Sequence, residues 1–165
     1  MNQKTRIFIA IAIIVVLTVA VIGIERIRGQ RIAAEIDASL EPGDIPVFWN
    51  DSLRAAFSPT DIESLPSASF IDAEEGKTQE GWLFKDVLLT YFKEGQFSDD
   101  TKIKVISTSR EKSVELTWGE IANTENMVMF DLAGRGTLKL VSLLEKLDTR
   151  DEFVQDVDRI EINTR

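Results

Sequence analysis

The chain of 165 residues is long enough for one domain of ordinary size with an appendage. It contains no Cys and no His, which excludes disulfides, thiolate nucleophiles, Cys/His zinc sites, haem ligation through His and Ser-His-Asp triads. Its 19 basic and 28 acidic residues give a formal charge of −9, distributed unevenly. Through Arg31 the basic residues Lys4, Arg6, Arg26, Arg28 and Arg31 face Glu25 alone, so the remainder holds 14 basic and 27 acidic groups, a formal −13. A domain that acidic repels phosphate backbones, and nucleic acid is not an expected partner.

The first element in chain order is an apolar run. Ile7–Ile24 has no charge, and Thr18 is its only polar side chain. As a helix these residues span about 27 Å at ~1.5 Å per residue, close to a bilayer hydrocarbon core of roughly 30 Å. The run is longer than the ~7–15 residues of a signal-peptide core, and no clear A-x-A cleavage pattern follows it. An uncleaved signal-anchor through the lipid bilayer is therefore expected over residues 7–24, with Arg26, Arg28 and Arg31 marking its downstream boundary. Basic residues flank both sides, so the positive-inside rule leaves orientation open; a single N-terminal anchor usually leaves its large domain translocated, which favours an extracytoplasmic domain.

Ile24, Ile27, Ile32, Ala34 and Ile36 extend the helical pattern as a stalk to about Ser39, where Glu41-Pro42-Gly43-Asp44 breaks it. The sequence thus divides into an anchor and stalk, 1–40, and an acidic soluble domain, 41–165. In that domain Ser58-Pro59-Thr60-Asp61 opens a short helix that stops before Leu65-Pro66. Ser67–Asp72 reads as a strand. Leu83, Phe84, Val87, Leu88, Tyr91 and Phe92 recur at helical spacing, with Gly95 just beyond. Lys102–Ser107 and Ser113–Leu116 alternate as two strands of a hairpin. Thr117-Trp118-Gly119-Glu120 is a capping box opening one helical turn. Met127–Leu132, Thr137–Leu144 and the Val157, Ile160, Ile162 pattern complete the set. Many short strands with a few small helices give an α+β class in which sheet dominates.

Residues with chemical potential are few. Gly134-Arg135-Gly136-Thr137-Leu138-Lys139 offers bare backbone N–H groups and two cations to an anion, without the spacing of a P-loop; a tight turn between strands is the competing reading. Arg110 joins Arg135 and Lys139 as a candidate ligand-binding cation if its hairpin folds over the same face, against a solvated hairpin tip. Glu74, Glu75 and Glu80, and separately Asp99-Asp100, are acidic groups with no diagnostic metal spacing, and exposed loops are the favoured reading. Trp49, Trp82 and Trp118 are expected in the core rather than lining a pocket. No catalytic residue and no metal ligand is assigned.

The order of several segments resembles the molybdopterin-binding domain of the sulfite oxidase family. These are Phe57–Pro66, Ser67–Gly76, Gly81-Trp82-Leu83-Phe84-Lys85-Asp86-Val87-Leu88, Gly136–Val141 and Phe153–Ile162, covering most of the soluble part. In that family the strand after the Leu-Pro carries the Cys that ligates molybdenum. Here its position falls near Ala73-Glu74-Glu75-Gly76, best at Ala73, and with no Cys in the chain no residue supplies that thiolate. The family's cofactor-gripping His is missing as well. The resemblance therefore implies that the scaffold is kept while the molybdenum chemistry is gone. The expected function is a membrane-anchored, non-catalytic binding or assembly module without cofactor, for a small anionic ligand or a protein partner. The alternative is a molybdenum- or tungsten-pterin oxidoreductase, or its subunit, in which the pterin dithiolene alone ligates the metal and Arg110, Arg135 and Lys139 hold the cofactor.

Overall fold

A computed structural model describes residues 3–72, 74–132 and 136–164, with the side chains of residues 3–8, 10, 25, 26, 29 and 32 outside the description. Helix α1 runs Gln3–Ser39. It stops at the Pro42-Gly43 turn, where Gly43 takes a φ of +104° that glycine adopts without steric cost. Among the described residues no helix is long and apolar enough to cross a membrane. Ile7, Phe8 and Ala10 of the apolar run are among the residues whose side chains are not described. The described large apolar side chains of the run, Ile9 and those from Ile11 through Ile24, are all exposed.

The domain that follows is mixed α and β with two sheets and little helix. Strands β1 (Ile45–Trp49) and β2 (Ser52–Phe57) form a hairpin absent from the sequence reading. Its two-residue loop, Asn50-Asp51, holds φ at 45° and 63°, the doubly left-handed turn whose twist matches that of paired strands. Helix α2 (Pro59–Ile62) begins where the Ser-Pro signal places it. The Asp61 carboxylate accepts from the Ser58 backbone N–H at 2.7 Å, which satisfies a donor at the helix start. Strand β3 (Ser67–Ile71) pairs antiparallel with β4 (Thr78–Leu83), and α3 (Phe84–Tyr91) follows directly. Strands β5 (Lys102–Ser107) and β6 (Lys112–Thr117) make the expected hairpin. The Thr117 box closes on both sides at the start of α4 (Trp118–Ala122): Thr117 N–H donates to Glu120 Oε2 at 2.7 Å and Glu120 N–H to Thr117 Oγ1 at 3.2 Å. Strands β7 (Met129–Leu132), β8 (Leu138–Val141) and β9 (Arg159–Asn163) complete the fold. Both β7 and β8 are shorter than the sequence pattern indicates. Met127 sits in the left-handed region at φ 47°, which breaks the strand there.

The first sheet has the order β2-β1-β9-β5-β6, and β1 and β9 are its one parallel pair. The second has the order β3-β4-β7-β8 and is antiparallel throughout. Val47, Ile103, Val105, Leu116, Ile160 and Ile162 from the first sheet share one buried cluster with Phe130, Leu138 and Leu140 from the second. Phe84, Val87 and Leu88 of α3 and Trp118 and Ile121 of α4 pack into the same cluster. Trp118 is buried, and Trp49 and Trp82 pack against the cluster's margin, as expected for core tryptophans.

The second sheet also has a used outer face. Cross-strand partners lie on one side of a sheet, so Ala68, Gly81, Asp131 and Lys139 form one row on the face away from the main core. A Cβ at Gly81 would stand 1.8 Å from the Phe130 carbonyl oxygen, so only glycine permits the observed approach of β4 to β7. Farther along this face Met129 and Val141 form a second buried cluster with Phe153, which the segment after β8 folds over them.

Candidate functional site: a charge-balanced cleft over the second sheet

The outer face changes from apolar to ionic within two residues of each strand. Alternation places Met129 and Asp131 on the same face of β7, and Val141 and Lys139 on the same face of β8. Asp131 and Lys139 are direct cross-strand partners, and Lys139 Nζ lies 2.7 Å from Asp131 Oδ2. Lys139 Nζ also donates to Gln79 Oε1 at 2.8 Å and stands 5.4 Å from the Phe153 ring centroid, where the ring face attracts a cation. Its side chain is 18% exposed, which leaves it open to a ligand while fixed by three neighbours.

The row continues through Gln79 to Asp72. Gln79 Nε2 lies 3.5 Å from Asp72 Oδ2, at the outer limit of a hydrogen bond, and Asp72 is buried. The other Asp72 oxygen accepts from the Glu74 N–H at 2.8 Å, which turns the chain sharply after β3. Across the cleft Arg150 donates its backbone N–H to Glu74 at 2.9 Å and its guanidinium to Glu75 at 3.2 Å. Lys77 donates to the same Glu75 at 2.6 Å. These two cations hold the Glu75 carboxyl below its ordinary value, Lys77 contributing more than Arg150. The enclosed space is about 360 Å³ and is lined by Asp72, Glu75, Lys77, Gln79, Asp131, Lys139 and Arg150, among others. Three carboxylates thus meet three cations, and the cleft is formally neutral within a domain (41–165) whose 14 basic and 25 acidic groups give −11.

The sequence-derived candidates are distributed as follows. Lys139 sits at the floor of this cleft. Arg110 lines a neighbouring recess of about 190 Å³, which shares Arg150, Phe153 and Gln155 with the larger cleft. The β5–β6 hairpin tip does fold toward this face. Arg110 Nε donates to Asp156 at 2.7 Å, and the Thr108 N–H donates to Asp158 at 2.8 Å. Arg110 and Lys139 therefore occupy adjoining recesses rather than one, each paired with a carboxylate. Arg135 lies outside the described residues, as does Ala73. Gly136, two residues ahead of β8, has a φ of +78°.

Of the acidic groups, Glu74 and Glu75 are engaged as above, while Glu80, Asp99 and Asp100 are exposed. Among the described residues no group of three or more acids is placed to hold a metal ion. The sequence reading missed Asp72, Gln79, Asp131, Arg150 and Phe153. A signal existed for one of them: pairing the Met127–Leu132 and Thr137–Leu144 runs as a hairpin sets Asp131 opposite Lys139. Arg150 had none, because its position depends on how the 142–158 segment folds back. No family model matches this sequence, and no curated protein matches it.

Proposed function

We propose that this chain is a membrane-anchored, non-catalytic binding or assembly module whose ligand site is the polar cleft over the second sheet. The observation that carries this reading is Lys139, a cation fixed between Asp131, Gln79 and the Phe153 ring. Its neighbours hold it in place and neutralise it, which suits recognition. Proton transfer or nucleophilic attack would instead need a free base or nucleophile beside it. Because the charges balance, a small ligand carrying one carboxylate or phosphate together with donor groups fits better than a polyanion. The acceptor of such a ligand would pair with a cleft cation, and its donor groups would take up the Asp131 or Glu75 oxygens displaced from that cation.

Anchoring is supported by the uncharged Ile7–Ile24 run and by the exposure of its described side chains on a continuous helix. So large an apolar surface needs a cover, and lipid supplies one along its full length. Thr18 donates its hydroxyl to the Ile14 carbonyl at 2.9 Å, so the run's one polar side chain is satisfied within the helix. A single anchor ahead of a large domain favours an extracytoplasmic position for that domain.

The order of motifs supports a scaffold similar to the sulfite oxidase molybdopterin-binding domain, yet the residues present do not fit that cofactor. Thiolate and imidazole donors are missing from the whole sequence. The described cations that would meet a pterin phosphate, Arg110 and Lys139, are already paired with carboxylates. The oxidoreductase reading is correspondingly weaker.

The test is metal analysis and pterin fluorescence on full-length protein taken from its native host's membranes. The expected result is retention in the membrane pellet after an alkaline wash, with neither molybdenum, tungsten nor pterin at stoichiometric level. Near-stoichiometric metal would overturn the non-catalytic reading, and release by the wash would overturn the anchor.

A further inference from the structure

Two open sheets have four edges, and three of them are guarded. The β2 edge is touched by α1. At the β6 edge Lys146 Nζ donates to the Glu115 backbone carbonyl at 3.0 Å, and the strand carries Lys112 and Glu115 side chains. The β8 edge is bridged by Val154, whose backbone exchanges both hydrogen bonds with Leu140 at 2.9 and 3.2 Å. Charges, covering elements and short pairings of this kind are how folded proteins prevent edge strands from recruiting other chains.

Among the described residues the β3 edge has none of these devices. Its sequence, Ser67-Ala68-Ser69-Phe70-Ile71, holds no charge and no proline, and among the described residues nothing but β4 pairs with it. The register fixes which backbone groups are free. Asp72 N–H donates inward to the Lys77 carbonyl at 2.8 Å, and inward pairs alternate along an antiparallel ladder. Phe70 and Ala68 therefore also point their N–H and C=O groups at β4, while those of Ser67, Ser69 and Ile71 point outward. The Ile71 side chain is 68% exposed, the most exposed large apolar side chain among the described residues.

From this edge we infer that β3 receives an extended basic peptide segment of a partner protein as an added strand. Main-chain pairing to Ser67, Ser69 and Ile71 supplies the affinity of such an addition, and side chains at alternate positions supply selectivity. Charge decides the occupant. Glu63 lies shortly before β3, and Glu80 is the direct cross-strand partner of Ser69. Both are exposed, and neither has an ion pair among the described residues. A basic side chain on the added strand would lie two strand spacings, about 10 Å, from Glu80, within joint reach of the two side chains. A second copy of this chain is a poorer occupant: its own β3 carries no basic side chain to set against Glu80. This inference is independent of the cleft, and substitutions at Lys139 leave it untouched.

The experiment uses the full chain in nonionic detergent micelles and two labelled synthetic peptides. Both have a Thr-Val-Thr-Val centre, one flanked by Lys-Lys and the other by Glu-Glu, and binding is read by fluorescence anisotropy. The Lys-flanked peptide should bind at least ~10-fold more tightly at low salt, with the difference shrinking as salt screens it. Amide exchange should slow at Ser67, Ser69 and Ile71 on binding, while Ala68 and Phe70 are already protected. Ser69→Pro removes an outward N–H and no ladder bond, so the thermal midpoint should hold while peptide binding falls at least ~10-fold. If that variant melts early, Ile71→Lys serves instead, placing on the edge the gatekeeper charge that the other edges use. Equal binding of both peptides, or undiminished binding by a folded edge variant, would overturn the inference. So would a concentration-dependent dimer that Ser69→Pro dissolves, since it would give the edge to a second copy.

Discussion

The two sheets solve different problems. The first puts Val47, Ile103, Val105, Ile160 and Ile162 into the common core and has both edges guarded, by α1 at one end and by Lys146 at the other. The second uses both of its faces. Its inner face joins the core, while its outer face passes from the Met129–Val141–Phe153 cluster to the ionic row of Lys139, Asp131 and Gln79. Burial on one side is enough to hold a sheet in place, so the other side is free for recognition. Stability and binding are therefore expected to separate between the sheets when each is perturbed.

The largest effect should come from the first sheet. Ile160 is fully buried, and Ile160→Ala should cost about 3–4 kcal/mol through lost burial and the cavity left behind. Urea unfolding of the full chain in detergent reads this directly. Next is Gly81→Ala at ~2–3 kcal/mol, because β4 and β7 must move apart to admit a methyl group. Unlike Ile160→Ala, this change should alter the cleft as well, since Asp131 is Gly81's cross-strand partner. A neutral result in both stability and cleft geometry would mean that the close approach is not tight.

Lys139→Met should cost about 2 kcal/mol, mainly by leaving the half-buried Asp131 carboxylate without its cation. Adding Asp131→Leu should recover most of that loss, read by the same urea unfolding. If the double variant is no more stable than the single, the pair is not the source of the loss.

The smallest effect concerns acid. Burial alone would raise the Glu120 carboxyl, but the Lys146 ammonium and the Thr117 N–H and hydroxyl outweigh it and hold it below its ordinary value of 4.5. Glu75 is shifted the same way. Both groups give up protons more readily folded than unfolded, so their stabilisation is fully present above pH 4.5 and is lost as pH falls through the folded value. Glu120→Gln should cost about 1 kcal/mol at neutral pH and flatten the acid limb of the stability profile. Parallel limbs for variant and parent would show that the box does not depend on the charge.

Local signals were legible where residues and their partners are close in sequence. The Ser58-Pro59 start, the Thr117–Glu120 box and the β5–β6 alternation each need only a few neighbouring residues, and each element lies where that pattern puts it. The β1–β2 hairpin was missed although Asn50-Asp51 is a turn pair suited to left-handed φ, because Pro46 within β1 argues against a strand. β4 was missed for a different reason. Its buried positions are Gln79 and Gly81, so no hydrophobic alternation marks it. Within the site, Lys139 was readable as a candidate, but the atoms that define it come from Gln79, Asp131, Arg150 and Phe153 on two strands and a loop.

The sequence by itself determined the apolar run with its helical stalk, the acidic domain, the absence of every thiol and imidazole ligand, and most local elements. These follow from composition and short-range periodicity, which burial and backbone hydrogen bonding act on directly. Only the tertiary structure decided that Lys139 is neutralised at a cleft floor, that Arg110 lies in the adjoining recess, and that β3 keeps an open edge. Each of those depends on strand order and register, which bring residues distant in sequence within hydrogen-bonding distance.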